Sequence, residues 1–184
     1  MCMSTPPQPA PQTPTLRAFI GLGGNMGDVR EAFRFAARRL GESTFVRVVS
    51  ASSVYRTGPV GPVAQDDFLN AVLAVDVACP ARELLGLLLW IEREAGRDRA
   101  IGPRWGPRPL DLDLLLFGDA IIDEPDLVVP HPRLTERRFV LEPLAEIAPT
   151  LVVPGTGRTV EAWRRHAASS GDAVTRLESS WLSV

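Results

Sequence analysis

Two aspartates at the start of an apolar run are the side chains of this sequence best suited to chemistry. Asp111 and Asp113 lie in the segment Leu110–Phe117, which is predicted to be a strand. Residues two apart in a strand share one face, so these carboxylates lie about 7 Å apart and repel each other unless a cation lies between them. Hard carboxylate oxygens suit Mg²⁺. The spacing therefore predicts a magnesium site.

The alternation of a strand assigns every residue of this segment to one of two faces. The predicted aspartate face is formed by Asp111, Asp113, Leu115 and Phe117. The predicted opposite face is formed by Leu110, Leu112, Leu114 and Leu116.

A loop rich in glycine and proline precedes the strand and carries four arginines. They are Arg97, Arg99, Arg104 and Arg108. Guanidinium groups pair with phosphate oxygens, and Mg²⁺ in proteins is often shared between carboxylates and substrate phosphates. The stretch Gly96–Gly118 therefore indicates a magnesium–nucleotide site. A solvated aspartate pair beside an arginine-rich surface loop is the alternative that the stretch alone leaves open.

The composition excludes one common class of nucleotide site. All 20 basic side chains are arginine, so the Gly-Lys-Ser/Thr of a Walker-type phosphate loop cannot be formed. The glycine-rich turn at Gly21, Gly23 and Gly27 misses the spacing of a dinucleotide-binding loop. That turn is predicted to be a tight connection from a strand to a helix, with Asp28 as the N-cap.

Length and charge narrow the class of protein further. With 184 residues, 45% of them hydrophobic, the chain is expected to form one soluble domain. A net charge of −2 argues against binding nucleic acid by bulk electrostatics. Two cysteines, Cys2 and Cys79, cannot build a disulfide framework or a zinc site, which fits the cytoplasm. No run of about 18 apolar residues predicts a membrane span, and no signal peptide is indicated.

The chain is predicted to divide into three parts. Residues 1–15, rich in proline, glutamine and threonine, are expected to be a disordered leader. Residues 16–168 are expected to form the domain. Residues 169–184 are polar apart from an isolated Trp181, and the sequence assigns them no structure or role.

The order of predicted elements indicates the fold. Strands are predicted at Leu16–Leu22, Phe45–Thr57, Phe68–Val77 and Leu110–Phe117, and helices at 29–41 and from Pro80 to Ala95. Further along, short strands are predicted at Ala120–Ile122, Leu127–Val129 and Leu151–Val153, and helices at Leu141–Ala148 and Thr159–Ala168. The first six elements follow the order of an α+β, ferredoxin-like fold, an antiparallel sheet with helices on one face and the active site on the other.

Three further positions have two interpretations each. Phe68 and Asn70 share a strand face, where they could stack on and read a flat heterocycle, or be a core ring and an amide bonded to backbone. Glu92 lies against apolar neighbours beside the arginine loop, where it could contact a substrate or pair with an arginine. His131, taken alone, is more often structural.

Seven segments together resemble the 6-hydroxymethyl-7,8-dihydropterin pyrophosphokinase family of folate biosynthesis. They cover roughly residues 16–165 in family order. The segments are IGLGGNMGD, YRTGPVGP, FLNAV, IEREAGRDR, RWGPRPLDLDLLLFG, VPHPRL and RRFVLEPLAEIAP, of which the RWGPR-x-LDLD pattern is the most specific.

The resemblance implies a reaction and a site. Members of the family transfer the pyrophosphoryl group of ATP to the pterin hydroxymethyl oxygen and release AMP. By position, Asp111 and Asp113 would bind two Mg²⁺, while Arg97 and Arg108 would stabilise charge on the transferred group. Residues matching the ATP site are Glu92, Arg99, Arg108, His131 and Arg137. Residues matching the pterin site are Thr57, Gly58, Val60, Phe68, Asn70, Trp105 and Phe139, the two phenylalanines enclosing the ring. The protein is expected to act on these small molecules as a monomer.

Several positions depart from the family pattern. Gly24 replaces the usual serine of the first turn and is expected to change only a local hydrogen bond. Gly58 and Val60 replace the frequent proline and leucine of the first lid loop. An extra residue, Pro103, lengthens the arginine loop, so Arg99 is matched less securely than Arg108.

Two rival functions follow from the same features. RNA-recognition domains share the predicted topology, but the aromatic sequences that carry RNA binding are absent here. An ATP-dependent transferase with a different acceptor would keep the aspartates and arginines and change the pterin-site residues.

Overall fold

The computed structural model describes residues 15–59, 65–97, 106–168, 173–178 and 181–182. Three predicted site residues, Val60, Arg99 and Trp105, lie outside these ranges, as do the predicted leader up to residue 14 and the extra Pro103. Within the described residues, no helix is long and apolar enough to cross a membrane.

Eight strands and four helices are assigned in the described residues. The strands are β1 (Leu16–Gly24), β2 (Val46–Ala51), β3 (Val54–Thr57), β4 (Phe68–Val77), β5 (Asp111–Phe117), β6 (Ile122–Glu124), β7 (Leu127–Val129) and β8 (Val174–Glu178). The helices are α1 (Val29–Gly41), α2 (Ala81–Glu94), α3 (Arg138–Ile147) and α4 (Val160–Ala167).

The main sheet is antiparallel and places β1 and β4 at its centre. Its order is β5-β1-β4-β3-β8, with β2 pairing with β4 beside β3. Helices α1 and α2 pack on one face through a core that includes Ile20, Leu73 and Leu88. The α+β, ferredoxin-like prediction is confirmed. Helices α3 and α4 add a second layer on part of the opposite face, where they cover Phe19 and Val72.

The predicted helix boundaries rest on caps that the structure contains. Asp28 Oδ1 accepts a hydrogen bond from Glu31 N at 3.0 Å, which supplies a partner to a free amide of the first turn of α1. Gly96 follows α2 with a φ of +87°, a conformation that favours glycine. Helix α3 begins at Arg138 rather than at the predicted Leu141.

A β-bulge in β5 changes the predicted faces of its last residues. Ile20 pairs with Leu114 and Phe19 with Leu116, so Leu115 is an additional residue. The predicted alternation holds through Leu115 and is wrong for the last two residues. Leu116 packs on the α3 side, and Phe117 packs on the α1 and α2 side.

Two predicted strands also differ from the observed ones. The segment Phe45–Thr57 is interrupted at Ser52 and Ser53, which separate β2 from β3. The predicted strand Leu151–Val153 is reduced to a single bridge between Val152 and Thr159. At both places backbone N–H and C=O groups form hydrogen bonds outside the regular ladder of a strand pair. The alternation of residue types in the sequence does not reveal such bonds.

The described part of the C-terminal segment packs on the domain. Strand β8 pairs with β3 and extends the sheet. Trp181 is buried, its ring meets Phe33 edge to face at 5.6 Å, and its Nε1 donates to Ser52 O at 2.7 Å. The predicted boundary after residue 168 stays a prediction, and the described residues beyond it, 173–178 and 181–182, pack on the domain.

Candidate active site

A cavity of about 890 Å³ lies where β1, β4 and β5 meet the start of α3. Its size is in the range of sites that enclose small ligands. The structure brings most of the predicted site residues to its wall. They are Thr57, Gly58, Phe68, Asn70, Arg97, Arg108, Asp111, Asp113, His131, Arg137 and Phe139.

Strand pairing explains why the aspartates reach this wall. Asp111 and Asp113 lie opposite Gly23 and Gly21 of β1, which carry no side chains on that face. Leu112 between them points into the core on the other side. Two glycines on the central strand therefore leave space in front of two carboxylates.

Asp111 is held between two guanidinium groups. Arg97 Nη1 donates to Asp111 Oδ1, and Arg108 Nη1 donates to Asp111 Oδ2 at 2.8 Å. Burial alone would raise the pKa of Asp111, but the positive charges of Arg97 and Arg108 outweigh it and lower the pKa below its ordinary value. Asp111 is therefore an ionised carboxylate.

Asp113 has weaker partners. Its Oδ2 lies 3.6 Å from Arg137 Nη1 and 3.9 Å from His131 Nε2. Burial and the negative charge of Asp111 raise the pKa of Asp113. Burial lowers the pKa of His131, because it disfavours the charged imidazolium, although the negative charge of Asp113 opposes this. The pair thus carries a repulsion that a bound cation would relieve.

The donor set fits a magnesium site completed by a substrate. Asp111 and Asp113 offer hard oxygen ligands on one face, facing the cavity. In the described ranges, no group of three or more histidine, cysteine, aspartate and glutamate side chains could hold a metal alone. Phosphate and water oxygens would have to supply the remaining ligands, which is usual for Mg²⁺.

Glu92 is a predicted site residue that does not line the cavity. It is 1% exposed, and its Oε1 accepts hydrogen bonds from Leu112 N at 2.8 Å and from Arg97 Nη1. Of its two interpretations, these contacts favour the arginine partner. Glu92 connects the end of α2 to β5 and orients Arg97 towards Asp111.

Two aromatic rings also line the cavity, each with an arginine near its face. Arg108 lies 5.3 Å from the centroid of Phe68, and Arg137 lies 5.5 Å from that of Phe139. Between them, Asn70 Nδ2 donates to Thr57 Oγ1 at 2.9 Å. The amide is thus fixed by a side chain and not by backbone, and its Oδ1 lies near Gly23.

Sequence analysis missed Asn25, although it lies in the glycine-rich turn that the sequence singles out. Asn25 N donates to Arg108 O, and Asn25 Oδ1 accepts from Arg108 N, both at 2.9 Å. Its Nδ2 donates to Gln65 Oε1 at 2.9 Å and to Asp66 O at 3.1 Å. One buried amide therefore ties three loops together. Its place among glycines was the available signal.

Gly24 has a structural reason beyond the expected local hydrogen bond. A Cβ at this position would lie 2.7 Å from Pro109 O, closer than a side chain tolerates. The first turn and the arginine loop approach each other so closely that glycine is the residue that fits. The same approach enables the contact of Asn25 with Arg108.

The family model for 7,8-dihydro-6-hydroxymethylpterin-pyrophosphokinase (HPPK) matches residues 19–149. The chain belongs to this family. The match includes every described residue of the cavity wall. The recognition of the family from sequence segments is confirmed.

Curated relatives carry the same activity in their names. A 2-amino-4-hydroxy-6-hydroxymethyldihydropteridine pyrophosphokinase of Methylorubrum extorquens is 45% identical over 139 residues, which cover 76% of this chain and 87% of the relative. One of Bacillus subtilis is 47% identical over 130 residues, covering 71% and 77%. One of Pseudomonas aeruginosa is 43% identical over 138 residues, covering 75% and 84%.

Solved structures support the fold. A Plasmodium falciparum HPPK-DHPS A437G chain with pteroate aligns with a TM-score of 0.67 and 15% identity over 87% of this chain. A second, with STZ-DHP, aligns with a TM-score of 0.67 and 14% identity. The present chain spans less than half the length of those chains, 44% and 47%. At this identity the likeness shows the fold.

Family membership confirms the predicted activity. The protein is an enzyme of folate biosynthesis that transfers pyrophosphate from ATP to the hydroxymethyl group of a dihydropterin. ATP is its co-substrate, and its substrates are small molecules. The roles of individual residues are the subject of the proposal that follows.

Proposed function

We propose that the cavity transfers the pyrophosphoryl group through a magnesium-loaded Asp111–Asp113 pair. The observation that carries this is the placement of both carboxylates on one cavity-facing side of β5, among three arginines. The hydroxymethyl oxygen of the pterin attacks the β-phosphorus of ATP. The bond from that phosphorus to the α,β-bridging oxygen breaks, AMP leaves, and the hydroxyl proton is released.

Asp111 and Asp113 are the proposed ligands of two Mg²⁺ ions. Bound there, the ions would neutralise phosphate charge and lower the pKa of the attacking hydroxyl. Glu92 holds Leu112 N between the two aspartates, which fixes the backbone that carries both. The carboxylates are thus preorganised by the fold, before any substrate binds.

Arg97 and Arg108 are the proposed stabilisers of charge on the transferred group. Their guanidinium groups already line the cavity at Asp111. Pairing of guanidinium with phosphate oxygens is strong because both partners are ionised. Loading Asp111 with a cation would free both arginines to pair with the phosphates instead.

The ATP side is assigned to residues around Asp113. Arg137 and His131 approach Asp113 from the start of α3 and from the segment after β7. Burial lowers the pKa of His131, so the ring is neutral near pH 7 and can donate or accept a hydrogen bond. Arg99 is proposed for the same side by its family position, and Glu92 acts through Arg97.

The pterin is assigned to the cavity end that holds the aromatic rings. Phe68 and Phe139 would enclose the flat ring, and base-on-aromatic stacking of this kind contributes about 1–3 kcal/mol per ring. Asn70, fixed by Thr57, presents its amide to the ring edge. Gly58, Val60 and Trp105 are proposed for this side by family position.

The remaining proposals concern the surroundings of the enzyme. We expect it to act as a monomer in the cytoplasm, without nucleic acid. The net charge of −2 supports the last point, because binding to nucleic acid by bulk electrostatics needs a positive surface. The two rival functions gain no support from the site geometry.

Product analysis tests the reaction. Purified protein is mixed with Mg-ATP and 6-hydroxymethyl-7,8-dihydropterin, and nucleotides and pterins are separated by chromatography. AMP and pterin diphosphate should form in equal amounts and only with both substrates and magnesium. ADP would indicate transfer of a single phosphoryl group and overturn the mechanism.

Aspartate variants test the site. Asp111→Asn and Asp113→Asn should each fold normally and lose at least about 1,000-fold in kcat, because a neutral amide is a poor magnesium ligand. Asp123→Asn, on the exposed part of β6, is the matched control and should keep full activity. Full activity in either site variant would contradict the assignment.

A further inference from the structure

A carboxylate that takes no part in the proposed reaction, Glu146, joins three elements behind the cavity. Its Oε2 accepts hydrogen bonds from Ser53 N and from the Tyr55 hydroxyl, both at 2.9 Å. Its Oε1 accepts from Ser53 Oγ at 2.7 Å and from Arg176 Nη2 at 2.8 Å. Glu146 belongs to α3, Ser53 to the break just before β3, Tyr55 to β3 and Arg176 to β8.

Glu146, Ser53, Tyr55 and Arg176 form a set of four residues, the Glu146 network, in which two of the partners of Glu146 also bond to each other. Arg176 Nε donates to Ser53 Oγ at 2.8 Å, so the same serine bonds to both charged partners. The Glu146 side chain is 22% exposed, and Ser53 is buried. Hydrogen bonds to a half-buried charge are stronger than neutral ones. The network therefore fixes α3 and β8 to one point of β3.

On the strand side, the network leads directly to the cavity. Tyr55 and Thr57 are two apart and share a face of β3, and Tyr55 lies opposite Asn70 in the register. Asn70 in turn donates to Thr57 Oγ1. The part of β3 held by Glu146 is thus continuous with the wall that presents Asn70.

On the helix side, the network lies two turns from Phe139. Seven residues separate Phe139 from Glu146, a rise of about 10 Å, with both residues on nearly the same side of the helix. Helix α3 packs against both β3 and β4. Holding Glu146 in place therefore fixes the distance between the Phe139 ring and the strands below it.

We propose that Glu146 is a positioning residue for the pterin side of the cavity. By holding α3 against β3 and β8, it sets the separation between the Phe139 ring and the opposing Phe68 and Asn70. The inference rests on the proposed assignment of the pterin to these residues. It also gives β8, which lies beyond the family match at residues 19–149, a part in substrate binding.

The test compares two glutamates on one helix. Glu146→Gln keeps the size of the side chain but removes the charge that Arg176 and Tyr55 bind. Glu142→Gln is the matched control, since Glu142 is also half-buried and paired, but with Arg138 and Arg164 and not with β3 or β8. Steady-state kinetics, with each substrate varied at a saturating concentration of the other, give kcat and the KM for the pterin and for ATP, and thermal unfolding gives the Tm.

Glu146→Gln should raise the KM for the pterin about tenfold, with kcat and the KM for ATP within about twofold of wild type, because only one substrate wall moves. Glu142→Gln should leave the pterin KM unchanged even if its Tm falls equally. An unchanged pterin KM in Glu146→Gln, or an equal rise in both variants, would overturn the inference. A wild-type protein without pterin turnover would instead refute the proposed function.

Tyr55→Phe keeps the test informative if Glu146→Gln does not fold. It removes a single hydrogen bond to Glu146 and leaves the ring in place. The expected result is a smaller rise, about threefold, in the pterin KM alone. Where Glu146→Gln does fold, the double variant should show less than additive effects, because both substitutions act on the same hydrogen bond. Full additivity would contradict a shared network.

Discussion

At the scale of single residues, Asp111 and Asp113 show how one residue type acquires two electrostatic environments. Asp111 forms ion pairs with Arg97 and Arg108, whereas Asp113 lies 3.6 Å from Arg137 and 3.9 Å from His131. In the proposed mechanism a cation must therefore displace guanidinium groups at Asp111, while at Asp113 it meets weaker competitors. Exchange of arginine between carboxylate and phosphate would couple metal binding to nucleotide binding.

Asn25 offers the sharpest residue-scale prediction. Asn25→Asp keeps the acceptor for Arg108 N and removes both donors to Gln65 and Asp66. A carboxylate would then face two oxygen atoms, so the loop before β4 should shift relative to Arg108. We expect kcat/KM for the pterin to fall about 10- to 100-fold with the fold intact.

The matched control lies in the same turn. Asp28→Asn keeps an acceptor for Glu31 N and should retain nearly full kcat/KM. Both variants are checked by circular dichroism for folding and by initial rates of AMP formation. If Asn25→Asp retains wild-type kcat/KM, the bonds across the three loops do not contribute to the reaction.

A pH dependence of stability follows from Glu146. Burial raises its pKa, but hydrogen bonds from Ser53 and Tyr55 and the charge of Arg176 outweigh this and lower the pKa in the folded state. Such a group stabilises the fold above its unfolded pKa, near 4.5, and this stabilisation is lost as the pH falls through the folded value.

The measurement is the free energy of unfolding in urea for wild type and Glu146→Gln between pH 3 and 8. The difference should be constant above about pH 5.5 and should shrink below the unfolded pKa. Taking a difference removes the contribution of the other carboxylates. A difference that grows as the pH falls would contradict the lowered pKa.

At the scale of elements, the break between β2 and β3 is the point on which several parts converge. Ser52 N donates to Val72 O, and Ser52 O accepts from Trp181 Nε1. The hydroxyl Ser52 Oγ accepts from Val72 N. Ser53 belongs to the Glu146 network and bonds to Glu146 through its backbone N and its Oγ. A strand interruption thus provides backbone groups to the C-terminal segment and to α3, where a continuous strand would use them in its ladder.

Trp181 carries the corresponding prediction for stability. Trp181→Ala should reduce the free energy of unfolding by about 3–5 kcal/mol, because a large ring is removed from contact with Phe33. Trp181→Phe keeps most of the ring and loses the donor to Ser52 O, at a cost of about 1–3 kcal/mol.

The control is the exposed tryptophan of α2. Trp90→Phe should change the free energy of unfolding by less than about 1 kcal/mol, since surface substitutions have small effects. Urea unfolding followed by far-ultraviolet circular dichroism measures all three variants. Equal losses for Trp181→Phe and Trp90→Phe would mean that the bond to Ser52 is not important for stability.

At the scale of the whole molecule, the two faces of the sheet have different roles. One face carries the apolar core under α1 and α2, and the other carries the cavity and a smaller core under α3 and α4. The described site residues come from the main sheet, from α2 and α3 and from the loops beside them, and all lie within one chain.

The whole-molecule prediction is therefore a monomeric active enzyme. Light scattering at micromolar concentration should give the mass of one chain, with and without both substrates. The specific activity should be independent of protein concentration, because the described site residues all lie within one chain. An activity that falls on dilution, together with a doubled mass, would show that an interface contributes.

Much of the fold followed from local patterns. The cap at Asp28 is a side-chain contact with a residue three positions away, and Gly96 adopts a backbone conformation that favours glycine, so the sequence indicates both directly. The aspartates and arginines were identified because their types and spacing belong to one chemistry. The bulge at Leu115 was not, since the pairing of β1 with β5 produces it and the composition of β5 does not reveal it.

The sequence by itself determined the family and the antiparallel α+β order, and it named eleven residues that the structure places on the cavity wall. The tertiary structure alone decided that Glu92 faces inward, that Asn25 bonds to two other loops and that Trp181 is buried against Ser52, 129 positions away. These contacts join residues distant in the chain. Local propensity and periodicity describe only near neighbours, so such contacts become visible only when the sheet brings the partners together.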